Sequence, residues 1–417
     1  MKTFKLITAG LLATAVASMA SAQTFVKITG STAFRKATYD AIVDSLNTPK
    51  GASIGGTTAD FTGDAQAVIT GTLKSGPSAG ASVVIQTAFG GSVGGVHVLT
   101  AGLTTIPGTS FTSTQTWMSA SNTLGALTKN SDGTISGATV LTSGTATFDA
   151  AATAQAANSD SFQATTIFKT PVLTEENPAG NGTGVVQFYA VKGQNHPSIP
   201  STSYAALSNI TPQQWSLLIS AGILPLSEFT GNSADAIYDV VAEGRNNDSG
   251  TREVTEAEVT LGTSLNQVEV LSEAVISGGT ITGLALAPGG GDQGFSSGGT
   301  LAKDLEAPIS ASAVDTNGNP FVQIAYLGKS DKNSAVAGGA VLLNYAGQSG
   351  TDADIETGDY TYWGYEHTYY LPGLPAVQQN AINLISNTLR TTSDVTFSGI
   401  ALTSMLVSRT VDGGSVF

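Results

Sequence analysis

Apolar positions along this chain follow two rhythms. Short continuous runs at residues 25–28, 82–87, 185–191 and 321–327 predict strands. Elsewhere the spacing is helical. Ala37, Ala41, Ile42 and Leu46 share one face of a segment predicted helical over residues 35–46, and residues 377–389 repeat that amphipathic pattern. Thr211-Pro212 opens a helix running through Ile219, with Thr as N-cap and Pro at the first helical position. Residues 253–261 read as helix. Residues 360–371 are aromatic-rich and strand-like. Strands that alternate with helices predict an α/β architecture. One stretch departs from it. Residues 103–150 are rich in Thr, Ser and Gly with alternating apolar positions, which predicts a β-hairpin insertion or a surface excursion without identifiable chemistry.

Glycine loops follow several of these strands. Residues 25–28 run into Thr29-Gly30-Ser31-Thr32-Ala33-Phe34 and then the first helix. Backbone N–H groups at such a helix start receive anions, although the same residues could simply cap the helix. The second strand enters Gly90-Gly91-Ser92-Val93-Gly94, and a short helix follows. Asp160 stands among Asn158, Ser159 and Ser161, placed either to accept hydrogen bonds or to cap a helix. Residues 236–241 lead into the richest run, Gly244-Arg245-Asn246-Asn247-Asp248-Ser249-Gly250-Thr251-Arg252. Glycine lets backbone approach a ligand, and Arg supplies a planar donor fork that matches phosphate or carboxylate. The run reads as an oxyanion cradle, or more plainly as a surface turn with incidental charges.

Composition narrows the classes. Lys2 and Lys5, an apolar stretch over residues 6–17 and Ala20-Ser21-Ala22 form a secretory signal expected over residues 1–22, too short to span a membrane. The chain has no cysteine, which excludes disulfides, thiolate metal sites and a cysteine-linked lipid anchor. No His/Asp cluster suggests a metal, and no cofactor is expected. A net charge of −14 argues against nucleic acid and means that any anion must be captured by local donors. The length of 417 residues suits two domains.

Taken in order, Ile28 to Phe34 with Tyr39 behind it, Gly91 to Val96, Ser159-Asp160, Arg245 to Thr251 and Phe321 to Leu327 resemble the loops and late strand of the periplasmic phosphate-binding proteins of ABC importers. The resemblance implies the two-lobed type II periplasmic binding protein fold, with a ligand cleft between lobes joined by two crossing strands near Val186 and Trp363. It implies one lobe from residues 23–186 plus 363–417, carrying the 103–150 insertion, and a second from residues 187–362. It implies ligand contacts from Ser31, Thr32, the Phe34 N–H, Ser92, Asp160, Arg245, Asn247, Ser249, Gly250 and Thr251. The partner would be an ABC permease in the inner membrane, and the location periplasmic or secreted.

Two other classes compete with a receptor that captures phosphate or a related tetrahedral oxyanion. A secreted or surface-assembled structural protein could keep this fold without transport. A hydrolase could use Gly90-Gly91-Ser92-Val93-Gly94 as a nucleophile elbow. However, His97, His196 and His367 are far apart and show no acidic partner pattern, so no enzymatic activity is expected.

Overall fold

The first apolar run forms β1 (Thr24–Gly30), whose glycine end turns into α1 (Arg35–Asp44). In this computed structural model of the chain, residues 23–100, 115–177, 182–260 and 269–417 are described. The expected signal at 1–22, residues 103–114 of the insertion and the expected helix end at Leu261 lie outside the described residues. The first helix stops two residues early. Leu46, placed on its apolar face from sequence, instead opens β2 (Leu46–Ile54), where it is buried opposite Leu73.

From there β3 (Gln66–Leu73) and β4 (Ser82–Phe89) add antiparallel neighbours, and β4 runs into α2 (Ser92–Thr100). A shorter strand, β5 (Ala156–Ser159), pairs in parallel with β1. Next come β6 (Gly184–Lys192) and α3 (Pro212–Ala221), in which Thr211 and Gln214 form the reciprocal cap that the Thr-Pro pair promised. Then follow β7 (Asp239–Glu243), α4 (Gly250–Glu258), α5 (Gly298–Glu306), β8 (Phe321–Gly328), α6 (Lys329–Ala337), β9 (Trp363–Tyr370) and α7 (Ala376–Thr391).

The result is a mixed α/β fold. Its large sheet runs β7-β8-β6-β9-β5-β1-β4-β3-β2. Two strands hold its halves together. The first four residues of β6 pair with β9, Val186 opposite Gly364 and Gln187 opposite Trp363. Beyond that crossing, β6 pairs with β8 from Phe188 to Lys192. The far end of β9 pairs with β5 from His367 to Tyr370. Every residue of β6, β8 and β9 is buried. Strands covered on both faces read as largely apolar runs, which is why β6 and β8 stood out in the sequence, whereas β9, which buries Glu366 and His367, was marked by its aromatics.

The insertion is more ordered than its composition suggested. Strands Gln115–Met118 and Phe148–Ala152 pair with each other, while Gly125–Ala126 and Thr139–Leu141 add to the edge strand β2. Trp117 and Met118 are fully buried beneath it. Ile135, Leu127 and Ala138 are buried as well, so a handful of apolar side chains in a Thr/Ser-rich stretch seats it on the sheet.

Candidate anion-binding site

Four loops converge at the carboxyl ends of β1, β4, β5 and β7, the edge of an α/β sheet where helix N-termini and ligands meet. Far from being a surface turn, Gly244 to Arg252 is buried throughout. The helix expected from residue 253 starts within this run, at Gly250. Ser249 is its N-cap, its Oγ accepting from the Arg252 N–H at 3.3 Å.

A buried ion network holds the loop. Arg252 Nε donates to Glu256 Oε1 at 2.9 Å, its NH2 to Asp292 Oδ1 at 2.5 Å, and its NH1 to the Arg245 carbonyl at 3.2 Å. Asn247 faces the same way, donating to Asp292 Oδ2 at 3.3 Å. Tyr326 Oη accepts from the Arg245 N–H at 2.9 Å and donates to Glu269 Oε2 at 2.8 Å. Sequence reasoning missed Tyr326 and Asp292. The first carried one signal, a polar-tipped aromatic inside the apolar run at 321–327.

Across the sheet, Asp160 follows β5 in an irregular segment and opens no helix, so the capping role considered from sequence does not apply. It is 1% exposed. Oδ1 makes no hydrogen bond of good geometry, and Oδ2 stands 3.5 Å from Thr251 Oγ1, the outer limit of one. Burial pushes this carboxyl up to about 6, while its own backbone N–H, the Arg245 charge and Ser31 pull the other way.

The two halves touch here. Gly94 N donates to the Asp248 carbonyl at 3.2 Å. A Cβ at Gly91, whose φ is +132°, would stand 2.2 Å from Asp248 O. A Cβ at Gly250 would lie 2.4 Å from Asp160 Oδ1 and 2.5 Å from Ser92 Cβ. Only glycine permits either approach.

Arg245 is 2% exposed. Its guanidinium is set by the Phe295 carbonyl at 3.0 Å from Nε and the Ser296 carbonyl at 3.1 Å from NH2. NH2 also reaches Thr32 Oγ1 at 3.4 Å. Burial lowers the guanidinium's proton affinity, opposed by Asp331, Tyr326 and Asp160.

The structure therefore gathers Ser92, Asp160, Gly250 and Thr251 at one junction and links Arg245 to Thr32. Three of the residues named from sequence already have partners. Ser31 Oγ accepts the Phe34 N–H at 3.1 Å, which leaves the Ser31 hydroxyl to act on Asp160. Asn247 turns toward Asp292.

The chain can now be set beside known proteins. No protein-family model and no curated protein sequence matches it. Its structural neighbours are substrate-binding proteins of phosphate ABC transporters. One, from Clostridium perfringens, is assigned as such and was solved with bound phosphate. It is 14% identical, with 91% of this chain and 99% of that one covered at a TM-score of 0.46. PstS from Borrelia burgdorferi is 12% identical, with 91% and 98% covered at 0.38. An ABC-type phosphate transport receptor from Vibrio cholerae is 12% identical, with 60% and 80% covered at 0.37.

One of the three histidines has the acidic partner that the sequence did not show, and the other two are engaged without one. His367 Nδ1 lies 2.6 Å from Glu175 Oε1. His196 Nε2 lies 2.9 Å from the Ala313 carbonyl, and His97 stacks on Phe168 with ring centroids 4.3 Å apart. Ser92 does occupy a strand–turn–helix, yet its neighbours across the junction are Gly250 and Asp160.

Proposed function

We propose that this chain is a binding protein for phosphate or a related tetrahedral oxyanion. It would be exported by the signal at residues 1–22 and act in ABC-type import. The observation that carries the reading is Asp160: a buried carboxylate with an unbonded Oδ1, set where the N-termini of α2 and α4 meet, with Arg245 nearby. Helix N-termini and a guanidinium favour an anion. A carboxylate beside them favours an anion that still carries a proton. HPO4²⁻ can donate that proton to Asp160. Sulfate has none at neutral pH and would be repelled, so the site selects by excluding its competitor.

The ligand contacts would come from Ser31, Thr32, Ser92, Asp160, Arg245, Ser249, Gly250 and Thr251, and from the Phe34 N–H once it leaves Ser31 Oγ. Because Gly250 rests on Asp160, the anion enters only as the halves part. We assign residues 23–186 with 363–417 to one lobe and 187–362 to the other, hinged where β6 crosses β9. Delivery would be to an inner-membrane permease. Among the described residues, no helix is long and apolar enough to cross a membrane.

Calorimetry of the purified chain against phosphate, arsenate, sulfate and molybdate tests the reading. Phosphate and arsenate should bind and sulfate should not. Sulfate binding as tight as phosphate would overturn it.

A further inference from the structure

A second cluster of polar residues lies at the opposite end of β7 from Arg245. Asp239 is the first residue of β7 and pairs in register with Phe321, the first residue of the parallel strand β8. The loop that enters β8 reads Asp315-Thr316-Asn317-Gly318-Asn319-Pro320. It folds back onto Asp239, whose N–H donates to the Pro320 carbonyl at 3.0 Å. Gly318, with a φ of +87°, makes the turn possible.

Thr316, Asn317 and Gly318 are exposed, but the two carboxylates beneath them are not: Asp239 is 4% exposed and Asp315 5%. Asp315 Oδ1 is occupied, accepting the Asn317 N–H at 2.9 Å and the Asn319 N–H at 3.0 Å. Asp315 Oδ2 is buried with no hydrogen-bond partner and faces Asp239. Asp239 Oδ2 in turn accepts from Nδ2 of both Asn317 and Asn319, each at 3.1 Å. Among the described residues, neither carboxylate has an ion-pair partner. Burial first, and then Asp239, push the Asp315 carboxyl up to about 6. Two buried carboxylates that face each other across neutral amides are costly, and a cation between them removes the cost.

We infer that Asp239, Asp315, Asn317 and Asn319 form a calcium site that ties this loop to the start of β7 and β8. The ligands are Asp315 Oδ2, Asp239 Oδ2 and the two asparagine Oδ1 atoms, with water on the exposed side. A half-turn of each amide exchanges Nδ2 for Oδ1, so the groups that donate to Asp239 turn their oxygens to the ion. Oxygen donors at alternate positions, Asp-x-Asn-x-Asn, match the spacing at which calcium loops supply their first three side-chain ligands. Such loops add a glutamate at the twelfth position, which here is Tyr326. Asp239 of the neighbouring strand supplies the missing carboxylate instead. Among the described residues, no three His, Asp or Glu side chains converge as a transition-metal site would require. Two carboxylates completed by amide and water oxygens make a hard, adaptable set, which suits Ca²⁺ better than Mg²⁺ with its strict octahedron. The inference does not depend on the anion reading.

The test is calorimetry of the full purified chain, stripped with chelator in phosphate-free buffer, against Ca²⁺ and Mg²⁺, with melting curves alongside. One Ca²⁺ should bind, in the ~10⁻⁴–10⁻³ M range of extracellular calcium modules. Saturating Ca²⁺ should raise Tm by about 2 °C or more, and Mg²⁺ at the same concentration should not. Asp315→Asn keeps an oxygen for the two backbone N–H groups and removes the charge. It should weaken Ca²⁺ binding at least about tenfold, and Asn317→Ala, at an exposed position, roughly fivefold. Ca²⁺ binding that survives both substitutions arises elsewhere on a chain of net charge −14 and overturns the inference. Equal responses to Ca²⁺ and Mg²⁺, or no response of the wild type to Ca²⁺, overturn it as well.

Discussion

Thr251 Oγ1 and Asp160 Oδ2 stand 3.5 Å apart, so a hydroxyl from the first turn of α4 meets a carboxylate at the end of β5. The two come from loops on either side of the strand crossing. Under the proposed reading, selectivity would turn on Asp160.

Asp160→Asn replaces an acceptor of negative charge with a neutral amide that also donates. Sulfate binding should become measurable, while phosphate binding persists through Arg245 and the helix N-termini. Calorimetry against both anions reads this directly. An Asn variant that still excludes sulfate would remove Asp160 from the selectivity of the site.

The same substitution should change the pH dependence of stability. Asp160 has a folded value raised by burial to about 6, against ~3.9 in the unfolded chain. The folded state therefore holds the proton more tightly. Its penalty for losing that proton grows from about pH 4 to pH 6 and is complete above. The two-unit difference corresponds to about 3 kcal/mol. Ligand-free melts of Asp160→Asn and wild type should nearly coincide at pH 4, and the variant should melt higher at pH 8. A variant that melts lower at pH 8 contradicts a carboxylate whose charge burial disfavours.

Arg245→Lys keeps the charge but cannot hold the Phe295 and Ser296 carbonyls and an anion in one plane. Charged hydrogen bonds contribute roughly 1.5–3 kcal/mol each, so phosphate affinity should fall about tenfold or more. Unchanged affinity would take Arg245 out of the site.

Gly250→Ala places a Cβ 2.4 Å from Asp160 Oδ1. Overpacking of this kind costs about 1–3 kcal/mol, or else the halves must stay apart. Phosphate affinity should drop at least tenfold, and small-angle scattering should show a more open particle. A variant that binds normally would mean that the junction need not close on ligand.

Much of this was legible in the sequence because the cues are local. A strand, a glycine and a hydroxyl before a helix occupy one short window, and so Ser31, Ser92 and Arg245 could be named without a structure. Asp160 was named too, but the alternative of a helix cap fell only with the absence of a helix after β5. What escaped was non-local. Glu175 meets His367 only because residues 174–175 pair alongside β9, the strand that carries His367. Gln115 comes from a stretch that showed no chemistry, and it reaches Thr29 of β1 from an insertion anchored by buried Trp117 and Met118. The helix at residue 253 began three residues earlier than expected because Ser249 caps it, making cradle and helix start one feature.

The place of β9 in the sheet sets an order of events during synthesis. It lies between β6 and β5, pairing Tyr370 with Ala156 and Gly364 with Val186. Until residues 363–370 have left the ribosome, β5 keeps an open edge and the early part of the sheet cannot join the rest. Contacts between distant parts of a chain form slowly. Under the proposed export, a chain that cannot complete its sheet before its last strands are made would stay loose long enough to be threaded through a membrane unfolded. Stalled chains ending before Trp363 should therefore be degraded by added protease, whereas a resistant core in them would show that the first strands close without β9.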